Sequence, residues 1–185
     1  MYMLKRTTVK FLLAVLVITG LAGTANDASL TAAEKKVVVK SLKDSRDQLL
    51  SEYKKFSEKQ AQFSPQPDVA AAAICIKNLQ TWEENAWEKL KTAMQKPAPQ
   101  NGEPVCASNP PESYSPAGHA TDFKTLRQSG IRYVRNSTEN FKTHYVAAED
   151  GCVTGYQYLI SIIERTNETT AYLRNIRQHP QFPAE

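Results

Sequence analysis

Residues 154–178, TGYQYLISIIERTNETTAYLRNIRQ, decide how the rest of the chain is read. Leu159, Ile162, Thr166, Thr169, Leu173 and Ile176 recur in steps of three and four, which places them on one face of a helix. The pattern predicts a helix from about Thr154 to Gln178, stopped by Pro180, whose ring and missing N–H cannot continue it. Such a face must be buried against other elements, and three more stretches have the same period. A helix over about Thr121–Asn136 aligns Phe123, Leu126, Gly130 and Val134. A mid-helix glycine costs about 1 kcal/mol against alanine, so Gly130 points to close helix packing. A helix over about Val69–Gln95, with Asp68 as N-cap, aligns Cys75, Leu79, Trp82, Ala86, Leu90 and Ala93. A helix over about Leu30–Phe56 opens with the capping-box pair Thr31 and Glu34. It aligns Val38, Leu42, Leu49, Tyr53 and Phe56, with Ser45 as the one polar step. Residues 97–116 hold six of the ten prolines and read as a long exposed connection. No two-residue strand period is visible. The expected fold is all-α, a four-helix bundle with long connections.

The front of the chain reads as a cleavable signal peptide, residues 1–25. Lys5, Arg6 and Lys10 precede an apolar run from Phe11 to Ile18, and Gly23 and Ala25 suit a cut after Ala25. That run is shorter than the ~20 residues of a membrane-spanning helix. Residues 26–185 then form one domain, exported to a periplasm or an extracellular space, with no membrane span after signal removal. The formal charge of +4 belongs to the precursor; the signal carries three of the 23 basic residues, leaving 20 against 19 acidic, or +1. The pI of about 8.9 is therefore no argument for a nucleic-acid partner. In an oxidising compartment Cys106 and Cys152, both in connections, are the disulfide candidates, and Cys75 reads as a buried thiol.

Three ordered stretches resemble the DinB/YfiT-like superfamily of small four-helix-bundle proteins. The first is Ser45-Arg46-Asp47-Gln48-Leu49-Leu50 through Phe56-Ser57-Glu58-Lys59-Gln60 and Phe63-Ser64-Pro65-Gln66-Pro67. The second is Ala70-Ala71-Ala72-Ala73-Ile74-Cys75-Ile76-Lys77-Asn78-Leu79. The third is Gly155-Tyr156-Gln157-Tyr158-Leu159 through Leu173-Arg174-Asn175-Ile176, ending in His179-Pro180-Gln181-Phe182-Pro183. Members commonly hold a divalent metal through one histidine of the second helix and two, four residues apart, on the fourth. The metal then activates water or a thiol for transfer or hydrolysis.

The resemblance implies that Asn78, Arg165 and Thr169 stand at those ligand positions, and none of them is a histidine. A guanidinium has no lone pair to give a metal. The expected state is metal-free and without a cofactor, with the three residues converging inside the bundle and Arg165 as a fixed cation in the metal's place. His119, His144 and His179 fall outside the inward helix faces, and His179 reads as a cation at a helix C-terminus. Glu83 and Glu84 point about 100° apart and do not form an acid pair. The leading functional expectation is an exported DinB-like binding or interaction protein whose partner is an unknown small molecule or protein. One alternative is a thiol-transferase or hydrolase type of enzyme using Arg165 in place of the metal; another is a structural envelope protein. Catalytic residues are not identifiable from the sequence, and oligomeric state, dimer included, is left open.

Overall fold

A computed structural model describes residues 29–66, 69–96, 106–107, 122–148 and 151–184. The expected signal peptide at residues 1–25, Asp68, His119 and most of the proline-rich connection lie outside these described residues. The molecule is mostly helical: α1 (Ala32–Tyr53), α2 (Glu58–Ala61), α3 (Ala72–Met94), α4 (Phe123–Asn136) and α5 (Gly155–Arg177). Local chemistry fixes the helix starts. Thr31 and Glu34 form the expected capping box at α1, Ser57 and Gln60 form one at α2, and Thr154 and Gln157 form one at α5. Asp122 caps α4 through the N–H of Thr125 at 2.7 Å. The start of α3 differs from expectation. It begins at Ala72, with Ala71 as an N-cap that offers no side-chain bond.

The four long helices close a ring. α1 packs on α4 and α5, and α3 packs on α5 and α4. The buried faces follow the expected stripes with two rotations. On α3 the interior receives Glu83 and Trp87, while Trp82 and Cys75 are only half-buried. On α5 it receives Thr170 rather than Thr169. Gly130 carries out the expected close approach, because a Cβ there would lie 2.2 Å from the Trp87 ring.

Contrary to the reading that no strand is present, the connections contribute a small three-stranded sheet. β1 (Cys106–Ala107) pairs parallel with β2 (Tyr145–Ala148), which pairs antiparallel with β3 (Gly151–Thr154). Strands this short, at four residues or fewer, carry no legible alternation. Gly151 takes the positive φ of 121° that lets the chain turn from β2 into β3. The sheet brings Cys106 and Cys152 together as a disulfide, their Cα atoms 5.7 Å apart, as the sequence suggested. At the opposite end the tail folds back. The Phe182 ring sits edge-on to Phe56 and Phe63 at 5.7 and 5.6 Å, and the Gln60 amide donates to the Pro183 carbonyl. No helix among the described residues is long and apolar enough to cross a membrane.

Candidate functional site

The apolar core is divided in two. One cluster holds Leu42, Ala86, Leu126, Ile131 and Ile162; the other holds Leu49, Leu79, Phe123 and Leu173. Between them lies a polar layer to which every long helix contributes one residue or more: Ser45 from α1, Glu83 and Trp87 from α3, Arg127 from α4 and Thr166 from α5. Arg127 and Glu83 are wholly buried, 0% exposed, and meet as a two-pronged ion pair. Arg127 Nε donates to Glu83 Oε1 and Nη2 to Oε2, each at 2.6 Å. The remaining N–H groups reach the Leu42 carbonyl, the Ser45 hydroxyl at 2.9 Å and the Thr166 hydroxyl at 2.5 Å. Trp87 Nε1 donates to Glu83 Oε1 at 2.9 Å, and the Phe123 ring covers the guanidinium at 5.2 Å. No buried side-chain nitrogen or oxygen among the described residues lacks a partner. A closed layer of this kind orders the core and offers nothing to a ligand.

The three positions the resemblance singles out do not form an interior site. Asn78 and Arg165 are exposed, and Thr169, partly exposed, spends its hydroxyl on the Arg165 carbonyl at 2.9 Å. This corrects the expectation of inward convergence, and the reason is rotational. α5 buries Ile162, Thr166, Thr170 and Leu173, which turns positions 165 and 169 off the inner face. The interior does hold a fixed cation bonded to a neighbouring helix's carboxylate, but Arg127 supplies it, not Arg165. Sequence reading missed Arg127 and set Glu83 aside. The available signal was the spacing: Arg127 lies between Phe123 and Gly130, and Glu83 between Leu79 and Ala86, both on buried stripes.

Arg165 instead lies over the Trp82 ring, its Cζ 4.7 Å from the ring centre. The two line a cleft of about 600 Å3 between α3, α5 and the sheet. Lys89 and Gln157 add polar groups to it, Glu164 and Glu168 add acids, and Ala147 and Val153 form an apolar wall. Neither Asn78 nor Thr169 lines the cleft.

Other reactive groups have structural roles. Cys75 is half-buried rather than buried; burial pushes its thiol up, away from the reactive thiolate, and its Sγ lies 3.7 Å from the Ala70 carbonyl. Both ring nitrogens of His144 face carbonyl oxygens, of Asn140 at 3.0 Å and Lys96 at 2.8 Å, tying the end of α3 to the start of β2. His179 follows the end of α5, where its Nδ1 accepts the Gln181 N–H at 3.3 Å and its ring lies 5.9 Å from that of Phe63. Among the described residues no three His, Cys, Asp or Glu side chains are grouped as a metal site requires. No protein-family model, curated protein or solved structure matches this chain.

Proposed function

We propose that this chain is an exported four-helix bundle of the DinB/YfiT-like type that has left metal chemistry and works by binding. The ring of four long helices, in the order and with the tail the resemblance implies, supports the fold assignment. The signal-like front and the Cys106–Cys152 pair support export. The observation that carries the binding reading is the cleft with Arg165 stacked on Trp82 at its edge. A guanidinium over an aromatic face sets a positive charge beside an apolar surface, which matches a ligand carrying both a carboxylate and an apolar part. The ligand class is therefore a small carboxylate or a carboxylate-bearing peptide segment with an apolar part.

The test combines two measurements on the purified secreted protein. Elemental analysis after chelator-free purification is expected to give well under one transition metal per chain; one tightly held zinc or nickel per chain would overturn the metal-free reading. Tryptophan fluorescence titrations with a panel of amphiphilic carboxylates are expected to saturate for the wild type and to fail for Arg165→Ala at unchanged thermal midpoint. Titrations that Arg165→Ala leaves unaltered would remove the cleft from the function. Turnover of a thiol or ester substrate that requires Arg165 would move the chain to the enzyme alternative.

A further inference from the structure

The seam between α1 and α4 has a charge pattern unlike the rest of the molecule. The two helices run antiparallel there, as the contacts of Lys35 with the Ser137 carbonyl and of Arg46 with Gln128 show. Along the seam lies a shallow groove of about 480 Å3 lined by Lys35, Lys36, Lys40, Lys43 and Arg135, with Ala32 and Val39 between them. No acidic residue lines it. α4 contains no Asp or Glu at all, and Arg132, one turn before Arg135, is exposed beside it. Two nearby acids are already engaged. Asp44 pairs with Lys40, and Glu34 pairs with Lys142 at 2.9 Å. Lys36, Lys43, Arg132 and Arg135 have no acidic partner among the described residues. By contrast, the cleft on the other side of the molecule mixes Lys89 and Arg165 with Glu164 and Glu168. Among the described residues, unpaired cations are thus gathered on one face.

The geometry points to this α1–α4 face as a docking surface for an anionic phospholipid bilayer. Charge complementarity selects a polyanion, since several cations held within one groove raise the local potential. Two features select a lipid surface over a nucleic acid. Apolar atoms are interleaved with the cations, because Val39 and Ala32 line the groove among the lysines. Lysine stems can rest on that apolar strip while their ammonium tips reach lipid phosphates. No aromatic side chain lines the groove to stack a base. The binding is peripheral, with α1 lying along the surface, and it does not depend on the cleft or on the DinB-like assignment.

Vesicle sedimentation of the secreted protein, its N-terminus read by mass spectrometry, tests this. The protein should bind mixed phosphatidylglycerol/phosphatidylcholine vesicles, bind phosphatidylcholine vesicles far more weakly, and release as salt is raised. Each cation near an anionic surface contributes roughly fivefold in affinity, so K36A/K43A/R135A should lose about a hundredfold while keeping the wild-type circular dichroism and thermal midpoint. A charge-matched control, K54A/K59A/K77A on other faces, should bind as the wild type does. Equal binding to neutral vesicles, equal loss in the control, or no loss in the triple variant would overturn the assignment. So would binding to single-stranded DNA tighter than to the anionic vesicles at the same salt.

Discussion

Arg127 of α4 grips both carboxylate oxygens of Glu83 of α3 at 2.6 Å in the middle of the core, with neither residue touching solvent. Two opposite charges taken from water need close geometry and full hydrogen bonding to recover their hydration, and here every remaining N–H has an acceptor. Ser45 and Thr166 contribute two of those acceptors, so the pair joins all four long helices in one register. A sliding or rotated helix would leave a buried charge unmatched.

Removing one partner should therefore cost far more than removing both. Arg127→Met is expected to destabilise by about 3–5 kcal/mol in urea unfolding, because it strands the Glu83 carboxylate. Glu83→Leu should cost a similar amount. The double variant should be markedly more stable than either single one, short of full recovery because Trp87 Nε1 keeps no acceptor. Additive losses in the double-mutant cycle would contradict the coupling.

Gly130→Ala should destabilise despite the better helix propensity of alanine. The new methyl would meet the Trp87 ring, and Trp87 is itself buried and bonded to Glu83. Overpacking of this kind costs about 1–3 kcal/mol, more than the ~1 kcal/mol alanine returns. Thermal unfolding should give a lower midpoint, with near-ultraviolet circular dichroism reporting a shifted Trp87.

Glu52 makes stability sensitive to acid. The hydrogen bond from Lys55 leads in holding its carboxyl below the usual 4.5; burial opposes this, and Arg174 adds to the lowering. A carboxyl lowered on folding stabilises the fold above its unfolded-state value, and that contribution is lost as pH falls through the lowered folded value. The loss should therefore be seen below about pH 4.5. Glu52→Gln is expected to flatten this limb of the stability–pH curve and lower the plateau near neutrality. An unchanged limb in the variant would rule Glu52 out as a contributor.

Peptide mapping of the oxidised protein under non-reducing conditions should find Cys106 linked to Cys152, with Cys75 free to be alkylated after unfolding. The bond spans 46 residues of sequence, so opening it frees a long loop in the unfolded state. Reduction should lower stability by about 2–4 kcal/mol. A linkage to Cys75 instead would show that the small sheet is placed differently.

The sequence by itself determined the helical class, the four long helices to within a few residues, and the capping pair Thr31/Glu34. It also pointed to close packing at Gly130 and marked Cys106 and Cys152 as disulfide candidates, while their pairing came from the fold. These rest on period, local capping geometry and residue size, which act within a few turns of chain. The tertiary structure decided which residues carry charge into the core and which face outward. Asn78, Arg165 and Thr169 sit about one residue step, some 100° of helix, off the inner face, and Arg127 and Glu83 sit on it. A helix stripe read from sequence is about that wide. Only packing against the neighbouring helices sets its rotation, and a buried arginine is tolerated only because a carboxylate 44 residues away in the chain arrives opposite it.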